Sequence, residues 1–134
     1  MARPWYDNLR HPRGNPPSWV FGVVWPILYL LMAISLIVGW NQRLNVSDGQ
    51  QKVTWVLFGL QLGLNLIWSP IFFQLQAPRV ALGVAVALWS VSLATMVMLY
   101  FLSPWSFGLW FPYQLWLSLA IYLNAGIVHL NPRV

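Results

Sequence analysis

Seven basic and two acidic residues are all the formal charge in this 134-residue chain, and their spacing constrains the fold more than any other feature. They are Arg3, Asp7, Arg10, Arg13, Arg43, Asp48, Lys52, Arg79 and Arg133. Uncharged stretches run over 18–40, 53–75 and 80–102, and a fourth, 105–130, is interrupted only by His129. Each exceeds the roughly 20 residues that cross a hydrocarbon core of about 30 Å as a helix. A soluble domain carries about a quarter charged residues; here the figure is 7%. The alternation of apolar and polar residues that a membrane β-barrel needs is absent. The expectation is an all-α integral membrane protein, a bundle of four transmembrane helices forming one domain over 1–134. A proline-rich loop covers 1–17, and the helices run over about 18–40, 53–75, 79–102 and 105–130.

The breaks between these runs suit their place. Ser47, Asp48 and Gly49 are turn formers, Pro78 can open the third helix at its first turn, and Ser103–Pro104 makes a break so tight that the last two helices must be antiparallel neighbours. Pro26, Pro70 and Pro112 each remove a helical hydrogen bond and predict kinks. An even number of spans puts both termini on one side. That side holds Arg3, Arg10, Arg13, Arg79 and Arg133 against Arg43 and Lys52 on the other, so the positive-inside rule predicts cytoplasmic termini. No cleavable signal peptide is read, because the first apolar run is too long for one and follows a polar leader. The same basic excess is read as a topology signal, and no nucleic-acid partner is expected.

Little conventional chemistry fits this chain. No Asp, Glu, Lys or Arg lies within a span, whereas ion-coupled transport normally needs an ionisable group at depth. Asp7 and Asp48 fall on opposite sides of the bilayer, and cysteine is absent. No phosphate loop and no nucleophile–base set can be assembled. His11 and His129 fall towards the same side, but two ligands without a carboxylate or thiolate are few for a metal; none is expected. Gly59 and Gly63 form a GxxxG pair. Ala81 and Ala85, with Gly83 and Ala87, give the third span a small-residue face, the better candidate for a homodimer contact.

Aromatic residues carry the functional signal, with ten Trp, five Tyr and seven Phe. Trp5, Trp19, Trp40, Trp55, Trp105 and Trp110 fall near span ends, where indoles form interfacial belts. Trp25, Trp68, Trp89 and Trp116 lie deeper, as do the amides Asn65 and Asn124. Helical spacing groups Phe21, Trp25, Tyr29 and Met32 on one face, then Gln61, Asn65, Trp68 and Phe72, then Tyr113, Trp116, Ala120 and Asn124, with Leu123 adjoining. Such faces either fill a bundle core or line a site for a planar, largely apolar ligand.

The segments Trp5-Tyr6-Asp7-Asn8-Leu9, Asn15-Pro16-Pro17-Ser18-Trp19-Val20-Phe21, Val24-Trp25 and Leu28-Tyr29 resemble the first loop and following helix of the TspO/MBR family. This is the family of tryptophan-rich sensory proteins and the translocator protein, or peripheral benzodiazepine receptor. Asn65-Leu66-Ile67-Trp68-Ser69-Pro70 with Phe72-Phe73 resembles its next helix. Trp89 with Ala94-Thr95-Met96 is similar to the one after, and Pro112-Tyr113, Trp116, Ala120 and Leu123-Asn124 to the last. The family is a five-helix bundle in which the WYDNL-like segment follows a first helix, so the resemblance implies a four-helix version lacking that helix.

The resemblance further implies a membrane receptor or carrier for a planar tetrapyrrole, with protoporphyrin IX or haem as ligand and no required cofactor. Trp25, Trp116, Asn65, Trp68, Ala120 and Leu123 match the pocket, and Trp5, Tyr6, Pro16 and Pro17 match a lid over it. The candidate ligand-binding set adds Phe21, Tyr29, Trp89, Tyr113 and Asn124. Light-dependent porphyrin breakdown, with Trp25 and Trp116 as donors, is the enzymatic alternative; a structural subunit without ligand is the other. The sterol motif of animal members does not survive, since the only basic residue after Tyr122 is the distant Arg133.

Overall fold

The computed structural model describes residue 5, residues 8–14 and residues 18–132. Four long helices follow one another: α1 over Ser18–Asn41, α2 over Asp48–Ser69, α3 over Pro78–Leu102 and α4 over Pro104–Leu130. No strand occurs among the described residues. At 1.5 Å per residue the 24 residues of α1 rise about 36 Å, enough to cross a bilayer with some tilt. By length and composition α1, α2 with its extension to Gln74, and α3 are apolar enough to span a membrane. The fourth helix is as long, but it carries Ser106, Gln114 and Asn124 as a buried polar complement facing its neighbours.

Local chemistry sets each boundary. Ser47 caps α2 by accepting from the Gln50 amide at 3.2 Å, and Asp48 in the first turn suits the positive end of the helix dipole. The cap lets α2 begin before its apolar run, so the loop is shorter than the charge spacing predicts. At the far end Pro70 cannot donate, and the chain widens into a π-helical turn over Pro70–Gln74, with the Leu75 amide bonded to the Pro70 carbonyl at 3.0 Å. The kink expected at Pro70 takes this form. Gln76, at φ +50°, then reverses the chain into Pro78. Between α3 and α4 a single extended residue, Ser103, turns the chain and caps α4 by accepting from the Trp105 amide.

Around the bundle α1 packs on α4, α4 on α3, and α3 on α2, while α1 and α2 make almost no backbone contact. Hydrocarbon tails are as apolar as leucine, so close packing and interhelical hydrogen bonds hold such a bundle together. Ser35 and Ser106 each donate to the other's carbonyl, at 2.7 and 2.8 Å, and clamp α1 to α4. Gly39 keeps this crossing close, because a Cβ there would meet Ser106 Oγ at 3.2 Å and Leu99 Cδ2 at 3.3 Å. Gly39→Leu is expected to cost about 1–3 kcal/mol by overpacking, read as a lower thermal midpoint in detergent, with Gly39→Ala costing less.

Two expectations change here. Ala81 and Ala85 are buried, Ala81 against Phe72 and Ile127, so this pair is used in packing within the chain and is not presented to a second copy. Trp110 is wholly buried rather than a belt residue, with its indole N–H donated to Ser92 Oγ at 3.0 Å. Gly59 and Gly63 have open space where a Cβ would stand, so the GxxxG face is not used within the bundle.

The leader straps one end of the bundle. Asn131 accepts from the Arg10 amide and donates to the Arg10 carbonyl, at 3.0 and 2.9 Å, and Tyr122 donates to the Arg13 carbonyl. Pro12 sits so close to Gly126 that a Cβ there would meet it at 2.6 Å. Trp5 then reaches Phe72 edge-on, with ring centroids 5.7 Å apart, joining the strap to the end of α2.

Candidate functional site

The separation of α1 from α2 leaves a cavity of about 500 Å³, within the range of small-molecule sites. Phe21, Gly22, Trp25, Pro26 and Tyr29 of α1 form one wall, and Asn65, Trp68 and Ser69 of α2 with Phe72 and Phe73 form the other. Ala85 and Leu88 of α3 and Trp116, Leu117, Ala120, Leu123, Asn124 and Ile127 of α4 close the back. No charged side chain lines it among the described residues. The helical stripes read from the sequence do converge: Phe21, Trp25, Tyr29, Asn65, Trp68, Trp116, Ala120, Leu123 and Asn124 all face this space.

Ring geometry fixes the walls. Trp116 meets Phe21 and Trp25 edge-on at 5.5 and 6.2 Å, and Trp25 tilts against Tyr29 at 5.7 Å. Across the gap Trp68 stacks on Phe72 at 5.2 Å. Edge-to-face and offset contacts of this kind hold rings in defined planes. The two deep amides are likewise held. Asn124 accepts from the Trp68 indole N–H at 3.1 Å and donates to the Pro78 carbonyl at 2.9 Å, which ties α2, α3 and α4 together.

Asn65 belongs to a directed chain that seals the inner end of the cavity. Tyr29 donates to Asn65 Oδ1, Asn65 Nδ2 donates to the Tyr113 hydroxyl at 2.8 Å, and Tyr113 donates to Gln61 Oε1 at 2.9 Å. Gln61 Nε2 ends the chain at Met32 Sδ, 3.8 Å away. The chain gives both deep amides of α2 side-chain partners and joins α1, α2 and α4 across the space where backbone contact is sparse. At the opposite end, Phe72 and Ile127 belong both to the cavity wall and to the cluster that receives Trp5 and Leu9 of the leader.

Other assignments move. Tyr113 is fully buried behind the cavity as a link in this chain and does not line it. Trp89 is on the α3–α4 seam, donating its indole N–H to Ser118 at 2.8 Å, and is also outside the lining. Trp5 is outside the lining and packs against the cluster of Phe72 and Ile127 at its end. Tyr6, Pro16 and Pro17 lie outside the described residues. Sequence reasoning missed Gly22, Pro26, Ser69, Phe73, Ala85, Leu88, Leu117 and Ile127 as lining residues. Pro26 was one position from Trp25, but a proline reads as a kink before it reads as a wall. The α3–α4 polar seam of Ser92, Trp110, Gln114 and Ser118 was also missed, although Gln114 and Ser118 share one helical face.

Fold and cavity together define a class, a multi-pass helical membrane protein with an aromatic, uncharged chamber between its spans. The model of the TspO/MBR family matches residues 1–130, and the chain belongs to that family. It is 35% identical over 127 residues to a tryptophan-rich sensory protein of Cereibacter sphaeroides, covering 95% of this chain and 77% of that protein. It is 39% identical over 132 residues to tryptophan-rich protein TspO of Chlorobaculum tepidum, covering 96% and 80%. To the human translocator protein it is 34% identical over 120 residues, covering 90% and 70%. A membrane protein of the sensory and translocator type is what these relationships support.

Proposed function

We propose that the chain is a membrane receptor or carrier that holds a planar tetrapyrrole, such as protoporphyrin IX or haem, in the chamber between α1 and α2. The observation that carries this reading is the convergence of Trp25, Trp68 and Trp116 from three helices on one cavity of about 500 Å³. Flat π-faces provide contact area, while Asn65, Ser69 and Asn124 supply a few fixed polar groups. The family's sensory and translocator names agree with ligand binding coupled to signalling or movement. Arg10 and Arg13 of the strap share an end of the bundle with Arg79, which donates to the Pro132 carbonyl. We place that end on the cytoplasmic side, the side favoured by basic residues.

Titrating protoporphyrin IX into the purified protein should quench tryptophan fluorescence with saturation. Trp25→Ala and Trp116→Ala should each weaken binding by about 1–3 kcal/mol, the scale of losing a large aromatic contact. Unchanged affinity in both variants rejects the chamber as the site. The proximity of Trp25 and Trp116 at the wall also favours a second reading, light-dependent breakdown of the bound porphyrin with these indoles as donors. Porphyrin loss in light that matches free tryptophan in solution, or that survives Trp→Phe at both positions, counts against it.

A further inference from the structure

One acceptor in the chamber wall lacks its regular i+4 donor. Pro26 lies inside α1 and has no N–H, so the carbonyl oxygen of Gly22, four residues earlier, receives no helical hydrogen bond from it. Both residues line the chamber, and a glycine can do so only with backbone atoms. A helical carbonyl points along the axis towards residue i+4, which puts this oxygen on the wall between Gly22 and Pro26. A Cβ built on Gly22 would find nothing within 4 Å, so no neighbouring side chain fills the space beside it. The other in-helix proline offers a contrast: Pro112 frees the Gly108 carbonyl in the same way, but neither residue borders the chamber. Hydrocarbon supplies no donor to replace a missing N–H, so an acceptor freed inside a span is satisfied by water, by protein or by a ligand.

We propose that the Gly22 carbonyl is a ligand-recognition subsite, selecting planar ligands that carry a ring N–H donor on their edge. The proposal rests on the chamber being the binding site, and it narrows the ligand class. The pyrrole N–H groups of a closed porphyrin point to the ring centre, beyond the reach of a wall. Open-chain tetrapyrroles and indole-like heterocycles present theirs at the rim. A ligand of that second kind therefore gains a hydrogen bond here that a closed macrocycle of similar area does not.

Carbazole and fluorene test this as a pair, because they share a flat tricyclic shape and differ by an edge N–H against a CH2. The purified full chain should bind carbazole about tenfold more tightly than fluorene, measured by calorimetry. In Pro26→Ala the new backbone N–H reclaims the Gly22 oxygen; the ratio of the two Kd values should collapse from tenfold to near one, whatever change in wall shape the two tricycles feel in common. Pro26→Ala restores a helical bond, so it should melt at or above the temperature of the unsubstituted chain. Equal Kd values in the unsubstituted chain, or a preference that persists in Pro26→Ala, overturn the subsite alone. Binding of protoporphyrin IX with no binding of either tricycle also overturns it. Failure of all three probes to bind rejects the chamber reading, and the subsite with it.

Discussion

Trp110→Ala is expected to be the most destabilising single substitution in the bundle, lowering stability by about 3 kcal/mol. Trp110 has no exposed surface, and its ring meets Tyr113 at 5.3 Å and Phe58 at 6.1 Å, both edge-on. Its indole N–H donates to Ser92 Oγ; Ser92 donates to Gln114 Oε1 at 2.6 Å, and Gln114 Nε2 donates to the Trp89 carbonyl at 3.1 Å. Truncation opens a void and leaves Ser92 short of a donor at the seam of α3 with α4. In a lipid or detergent phase the apolar transfer contribution is small, so lost dispersion contacts and the missing hydrogen bond dominate the cost. The low end of the soluble-core range is therefore appropriate. Trp110→Phe keeps much of the ring packing and loses only the N–H, for about 1 kcal/mol. Unfolding by SDS titration should rank the three proteins in that order. A phenylalanine variant as weak as the alanine variant would show that the polar seam, not the ring, holds these helices.

The misplacement of Trp110 shows what sequence spacing can and cannot provide. Counted along the chain, residue 110 is near the start of the last apolar run, where an indole reads as part of an interfacial belt. The one-residue turn at Ser103 draws the start of α4 tightly against α3, so the same position faces a neighbour instead of headgroups. Four helices were legible because charge cannot be hidden in hydrocarbon, and the gaps between charges therefore mark the spans. The lining faces were legible because residues three or four apart share a side of a helix; that rule correctly grouped Trp25 with Tyr29, Asn65 with Trp68, and Trp116 with Ala120. Which helix neighbours which was not legible. Periodicity identifies a face but not what it meets, so Ala81 and Ala85 read as an outward dimer surface when they face inward. Tyr113, grouped with Trp116 by the same rule, and Trp89, placed by resemblance, both lie at helix seams outside the chamber lining.

Ala120→Trp should abolish ligand binding, lowering affinity at least 100-fold, which corresponds to about 2.7 kcal/mol. Ala120 lies one turn from Trp116 and one turn from Asn124 on α4, at the back of the chamber. An indole added there projects into the space that a flat ligand would occupy between the Trp25 and Trp68 walls. Overpacking normally strains a filled core, but this side chain enters open volume, so the fold should keep its thermal midpoint or gain a little. That pairing of effects is the useful feature. A pocket residue that failed through misfolding would lose stability and binding together, whereas occlusion loses binding alone. Ala120→Ser leaves the volume nearly unchanged and should bind protoporphyrin IX as the unsubstituted chain does. Ligand absorbance is the appropriate readout, because the added tryptophan would complicate fluorescence. Full binding in a well-folded Ala120→Trp protein would mean that the ligand sits elsewhere, and that the convergence of three indoles is packing around a space the protein does not use.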